Sequence, residues 1–351
     1  MKKLKVSVIE DSISIRKAIE SLIKKNEGLE LLQSGKNGQE AVDIVRTLKP
    51  DCIILDIEMP IMNGIEAIKA IKKLPFDCRR CKILVFSAFT EKDAKLTLEA
   101  LKFGADDFIT KPRGHTFSQN QKIIEDELIP RIFALIQGRK PAEKAREKPA
   151  AEIAKKPKYP LLVAKREIIA IGLSTGGPQA ILKVLPQLPE NLSVPVVIVQ
   201  HMPPMFTKQF ALTLDQACKI RVHEAEDGMS MLAGHAYIAK GGFHMTVKKE
   251  SSTIHINEGP LVQSCRPSVD VLFESVAKEY GKRTVGVVMT GMGRDGADGC
   301  LALKKTGAPV ITQNQETCVV YGMPKAVNDE NLSDHILPLE RIAAQILVYA
   351  R

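Results

Sequence analysis

Short apolar runs alternate with segments of helical spacing along the first 137 residues of the chain. Lys5–Ile9, Cys52–Leu55, Ile83–Phe86 and Phe108–Ile109 are apolar enough to be buried on both faces, and polar residues end each of them. Between and after them, Ile15–Lys25 and Ile123–Ile136 carry apolar residues at helical intervals. Strands alternating with helices predict a parallel sheet covered on both sides. The pattern resumes near Ala164. Glu167–Gly172, Val194–Gln200 and Thr284–Met289 predict further buried strands. Ala236–Ile238, Met245–Val247 and Thr253–Ile256 read as short antiparallel strands around the turn material Gly241-Gly242. Ser268 is placed to cap a helix through Val271, Phe273, Val276 and Ala277. The expectation is α/β throughout, with doubly wound domains over 1–137 and 164–351. The second is mainly parallel with a short antiparallel portion, and a flexible basic tether spans 138–163.

Composition changes this picture little. A chain of 351 residues suits two domains with separate cores, and 44% hydrophobic with 26% charged residues is a globular profile. No apolar run reaches the roughly 18 residues that a membrane span needs. Glu10 and Asp11 interrupt the basic N-terminus before any signal-peptide core forms. A cytoplasmic protein without membrane insertion is expected. Seven cysteines, odd in number and scattered, suit a reducing compartment. Cys78 and Cys81 form a C-x-x-C, but the helix opening or second ligand pair that redox or zinc chemistry needs is not nearby. Two buried or half-buried thiols in a loop are the expectation.

The net charge of +9 raises nucleic acid as a partner. Much of the excess lies in Lys140–Lys158, where seven basic residues face three Glu in a Pro-containing run typical of a solvated linker. No helix-turn-helix, zinc-finger spacing or basic stripe with interleaved aromatics accompanies it, so no nucleic-acid partner is expected.

Candidate chemistry sits where the strands end. Glu10 and Asp11 follow the first strand, Asp56 follows Ile53-Ile54-Leu55, Ser87 follows Leu84-Val85-Phe86, and Lys111 follows Phe108-Ile109. In a doubly wound sheet these ends converge. Three converging carboxylates repel one another unless a divalent cation neutralises them, and hard oxygen donors favour magnesium. Such a site suits phosphoryl transfer to a carboxylate. Asp56 would attack, the Ser87 hydroxyl would donate to a phosphoryl oxygen, and Lys111 with the metal would offset its charge.

In the second half, Gly172-Leu173-Ser174-Thr175-Gly176-Gly177-Pro178 joins a strand to a helix, a sharp turn that exposes a serine hydroxyl. A phosphate cradle at a helix N-terminus is the alternative. The P-loop lysine and the G-x-G-x-x-G spacing are both absent. His201 ends the next strand, and Asp295 lies in Thr290-Gly291-Met292-Gly293-Arg294-Asp295-Gly296 after the strand Thr284–Met289. His201 could take the Ser174 proton and Asp295 could orient and stabilise the imidazolium. The order Ser, His, Asp differs from that of α/β-hydrolases, so another fold is implied. The remaining histidines (His115, His223, His235, His244, His255 and His335) read as structural or surface groups.

Two resemblances follow. Glu10-Asp11, Asp56 with Met59-Pro60 and Gly64, Ser87-Ala88 and Lys111-Pro112 resemble the receiver domain of two-component response regulators. That resemblance implies a flavodoxin-like domain phosphorylated at Asp56. Magnesium would be held by Glu10, Asp11, Asp56 and the Glu58 carbonyl, with Ser87 and Phe108 as the switch pair. Ser174-Thr175-Gly176-Gly177-Pro178, Gln200-His201-Met202-Pro203, Arg266-Pro267-Ser268-Val269-Asp270 and the Thr290–Gly296 loop closely resemble the chemotaxis protein-glutamate methylesterase family. That resemblance implies a phosphorylation-activated serine hydrolase. It would remove methyl esters from glutamate side chains of chemoreceptor helices and deamidate particular receptor glutamines. It also implies the Met292 amide as oxyanion donor, a chemotaxis sensor histidine kinase as phosphodonor, and no cofactor for the esterase step. A receiver-controlled esterase with another substrate and a non-catalytic DNA-binding regulator are the competing readings.

Overall fold

The computed structural model describes residues 2–111, 117–138, 161 and 164–350, with the backbone alone at 117–121. Pro112, His115 and nearly all of the expected tether lie outside the described residues. The chain divides into two compact units, Met1–Gly138 and Arg139–Arg351. No helix among the described residues is long and apolar enough to cross a membrane.

The first unit runs β1 (Leu4–Ile9), α1 (Ile13–Lys25), β2 (Leu29–Gly35), α2 (Gly38–Leu48), β3 (Cys52–Asp56), α3 (Gly64–Ile71), α4 (Phe76–Arg79), β4 (Lys82–Ser87), α5 (Glu91–Phe103), β5 (Asp107–Thr110) and α6 (Phe117–Gln137). Its five strands are all parallel, in the order β2-β1-β3-β4-β5. Every residue of β3 and β4 is buried, as their unbroken apolar runs require. Helix starts are fixed locally. Asn37 and Thr90 each accept from the amide three residues on, and Asn63 forms a capping box with Glu66. Because β1 lies beside β3 and β3 beside β4, the ends of these strands bring Glu10, Asp56 and Ser87 to one edge.

The second unit runs β6 (Ile168–Leu173), α7 (Gly177–Val184), β7 (Val196–Gln200), α8 (Phe206–Ala217), β8 (Arg221–Glu224), β9 (His235–Ile238), β10 (His244–Lys248), β11 (Thr253–Asn257), α9 (Val269–Tyr280), β12 (Thr284–Val288), α10 (Ala297–Thr306), β13 (Val310–Gln313), α11 (Met323–Asp329), β14 (His335–Leu337) and α12 (Leu339–Tyr349). A seven-stranded sheet has the order β14-β13-β12-β6-β7-β9-β8, and β10 and β11 form an antiparallel pair. One expectation is corrected. Ala236–Ile238 is not antiparallel: it belongs to β9, which pairs parallel with both β7 and β8. A period-two pattern marks a strand and its two faces but carries no information on direction. Helix α9 packs over the sheet through Val269, Leu272, Phe273 and Val276, which join a core with Val197, Tyr237, Met245 and Val288.

Candidate active site and phosphoacceptor site

In the first unit, Glu10 and Asp56 are buried while Asp11 is exposed. Their carboxylate oxygens lie within 4.8 Å of one another. The Lys111 Nζ bridges the two buried acids, 2.9 Å from Glu10 Oε2 and 2.8 Å from Asp56 Oδ2. Asp56 Oδ1 accepts from the Ile57 amide at 2.7 Å. Burial pushes Glu10 up to about 7; the charge on Asp56 adds to the rise and Lys111 opposes it. Burial also raises Asp56, against the pull of Lys111 and the Ile57 amide. Crowded hard-oxygen donors of this kind fit a magnesium ion. Ser87 lines the same cleft, yet its hydroxyl is occupied, accepting from Thr97 Oγ1 at 2.7 Å. Phe108 is buried, and the Glu58 side chain pairs with Lys92.

In the second unit, register places Ser174 beside His201. Leu173 of β6 pairs with Gln200 of β7, so Ser174 and His201 follow side by side. The His201 amide donates to Leu173 O at 3.2 Å and the Gln200 side-chain amide donates to Ser174 O at 3.0 Å, fixing the two ends together. Gly176 takes φ 74°, a left-handed turn that swings the chain into α7. The serine also presses on the loop after β12. Its amide donates to Thr290 O at 3.0 Å, and any Cβ on Gly291 would lie 2.9 Å from the Ser174 Cβ. The Met292 side chain is 39% exposed, and its backbone N–H has no acceptor among the described residues.

His201 Nε2 meets Asp295 Oδ2 at 2.7 Å. Asp295 is saturated: its two oxygens also accept from Ser268 Oγ at 2.7 Å, the Val269 amide at 2.7 Å and the Asp270 amide at 3.0 Å. It therefore caps the N-terminus of α9. Asp270 returns the favour to α10, its Oδ1 accepting from the Gly296 and Gly299 amides at 2.9 and 2.7 Å. Burial resists ionisation of Asp295, but the His201 contact and the Asp270 and Val269 amides outweigh it and hold the carboxyl at about 2. Asp270 has no such surplus, and burial followed by the charge on Asp295 pushes it up to about 7. Burial likewise disfavours the His201 imidazolium. The hydrogen bonds to Asp295 and Cys265 overcome this and lift the ring to about 9.

Ser174 and His201 make no side-chain hydrogen bond here. With Nε2 committed to Asp295, Nδ1 is the nitrogen left to receive a proton, and the Cys265 thiol lies 3.5 Å from it. Nothing in the sequence singled out Cys265, and no motif signalled that the Thr290 hydroxyl ties the turn at Thr175 to Val320. Ser268 was legible as a helix cap, but its bond to Asp295 was not. Cys78 and Cys81 are both buried as expected, though Cys78 lies in the single turn α4 rather than in a loop, and burial pushes the Cys81 thiol far up.

Comparison with known proteins covers both units. Residues 6–118 match the response regulator receiver domain family and residues 169–346 match the CheB methylesterase family. The chain is 39% identical over 353 residues to the protein-glutamate methylesterase/protein-glutamine glutaminase of Trichodesmium erythraeum, covering 99% of each chain. It is also 39% identical over 349 residues to the protein of the same description from Pyrococcus abyssi, covering 99% of this chain and 93% of that one. Among solved structures, the CheB methylesterase catalytic domain of Thermotoga maritima superposes with a TM-score of 0.51 at 40% identity, covering 53% of this chain and 99% of that domain.

Proposed function

The chain belongs to the CheB methylesterase family, with an N-terminal receiver domain, and from that premise we propose how its residues act. It is a receiver-regulated chemotaxis methylesterase that also deamidates glutamine. The substrates are methylated glutamates and particular glutamines on the cytoplasmic helices of chemoreceptors.

Ser174 Oγ attacks the ester carbonyl while its proton passes to His201 Nδ1. Asp295 holds the other ring nitrogen and offsets the imidazolium charge. The tetrahedral oxyanion is met by the Met292 N–H and the dipole of α7. His201 then gives its proton to the departing methoxide, so methanol leaves and an acyl-serine remains. Water, deprotonated by the same imidazole, attacks that ester and releases glutamate and Ser174. Replacing methanol by ammonia as the leaving group gives deamidation. The observation that carries this reading is the 2.7 Å His201–Asp295 bond beside the Ser174 turn.

In the receiver, Asp56 is the phosphoacceptor and the chemotaxis histidine kinase the donor. Magnesium would be held by Glu10, Asp11, Asp56 and the Glu58 carbonyl, where it neutralises phosphoryl charge. Lys111 pairs with a phosphoryl oxygen, and Ser87 leaves Thr97 to do the same, with Phe108 shifting in concert. The domains are 1–137 and 164–351, and 138–163 is a tether that gives them a high mutual effective concentration. The unphosphorylated receiver restrains the esterase and phosphorylation of Asp56 shifts the population away from the restrained state. The test is methanol release from methylated receptor membranes, with and without a small phosphodonor. Release of methanol that rises with the phosphodonor supports the reading; hydrolysis of small aryl esters alone refutes the substrate.

A further inference from the structure

We propose that His201 Nδ1 and Cys265 Sγ form a soft-metal site, and that zinc bound there switches the esterase off. The inhibition rests on His201 being the catalytic base; the site itself does not. Zinc binds imidazole nitrogen at about 2.0–2.1 Å and thiolate sulfur at about 2.3 Å, which at a tetrahedral angle sets the two donors about 3.5 Å apart. Nδ1 and Sγ are separated by 3.5 Å. The far side of the ring is already arranged as a metal-binding histidine requires, with Nε2 at 2.7 Å from a carboxylate oxygen. That carboxylate is fixed by Ser268, Val269 and Asp270, so the ring is oriented before any ion arrives.

The site is also distinctive within the chain. Cys52, Cys78, Cys81, Cys300 and Cys318 are buried, whereas Cys218 and Cys265 are partly exposed. Cys265 is the one that meets a histidine nitrogen among the described residues. A mixed sulfur and nitrogen pair selects zinc or another soft cation, while the all-oxygen cluster at Glu10, Asp11 and Asp56 selects magnesium. On binding, the thiol proton and any proton on Nδ1 leave to solvent, and the Nδ1 lone pair enters the coordination bond. That lone pair is the acceptor for the Ser174 proton, so the bound enzyme has no base. Two protein donors leave the remaining positions to water, and chelators reverse the effect.

The full chain, stripped of metal, is titrated with cobalt(II) and followed for a near-ultraviolet thiolate-to-cobalt band, then assayed with zinc against each variant's own metal-free rate. The expected result is a band present in the parent and in Cys218→Ser, absent in Cys265→Ser and His201→Ala, with zinc inhibition at least tenfold weaker in Cys265→Ser. A band of full strength in Cys265→Ser or His201→Ala, or equal zinc inhibition of Cys265→Ser, overturns the proposal. If both variants lose the band but His201→Ala keeps its esterase activity, the metal site stands and His201 as catalytic base falls.

Discussion

Asp56 and Asp295 both sit at the carboxyl edge of a parallel sheet and face a basic side chain, Asp56 as the last residue of β3 and Asp295 in the loop after β12. Their surroundings give them opposite chemistry. Asp56 has one amide donor and the Lys111 Nζ, and burial raises its carboxyl. Asp295 has four donors, three of them besides the histidine, and is held at about 2. A carboxylate with lone pairs to spare and like charges close by gains from bonding to an electrophile or a cation. One whose lone pairs are all filled can only orient its neighbour. On the roles proposed above, the count of fixed donors separates a reacting carboxylate from a positioning one.

The sharpest way to break this comparison is to remove the reacting group on the esterase side. Ser174→Ala and His201→Ala should each lower kcat by about 10⁴–10⁶-fold while the protein remains folded by circular dichroism, and the double variant should fall little further than the worse single one. Independent, multiplicative losses in a methanol-release assay would show that the two are not one machine.

Asp295→Asn tests the orienting role. It should lower kcat/KM by about 10⁴-fold, because an amide can hold the wrong tautomer of His201. The pH profile supplies the finer readout. Catalysis needs the neutral ring, so in the parent kcat/KM should climb with pH until it levels above about 9, the value at which Asp295 and Cys265 hold His201. In Asp295→Asn the main raising influence is gone while burial remains, and the midpoint should move toward or below the ordinary 6.5. An unmoved midpoint would deny that Asp295 stabilises the imidazolium.

On the receiver side, Asp56→Asn should abolish acyl-phosphate labelling, and retention of label would reassign the acceptor. Glu10, raised to about 7, binds its proton more tightly folded than unfolded. Its contribution to stability is therefore present below its ordinary value of 4.5 and is lost as pH rises through about 7. Metal-free receiver should lose stability across that window, and magnesium at 100 times its Kd should restore about 2.7 kcal/mol. Asp295 has the opposite sign, its contribution being present above 3.8 and lost as pH falls toward 2. Urea unfolding of the two units against pH measures both slopes.

The smallest effect concerns coupling. Truncation to Ala164–Arg351, or proteolysis within 140–160, should raise activity over the unphosphorylated full chain. No rise would mean that the receiver activates by contact rather than by restraint.

The fold was largely legible because both sheets are built from strands buried on both faces, whose apolar runs stand out against amphipathic helices. Strands near the edge were harder to read. Arg221–Glu224 has one fully buried residue and no apolar run, so β8 left no signal, and β9 showed its faces but not its direction. That Ser174, His201 and Asp295 would come together at strand ends was legible from turn chemistry and motifs. Their supports were not. The bond from Ser268 to Asp295 spans 27 residues and the Cys265 contact with His201 spans 64, distances over which local pattern carries no information.

A still longer separation bears on how the protein is made. His201 and Asp295 are 94 residues apart, and β6 lies at the open margin of its sheet until β12 arrives to pair with it. At about 5–20 residues per second, the ribosome delivers Asp295 roughly 5–20 s after His201. Throughout that interval the nascent chain displays an unpaired strand margin beside Ser174 and a histidine without its carboxylate. Until the loop that follows β12 has been made, Ser174 and His201 lack the Asp295 that the proposed esterase mechanism requires.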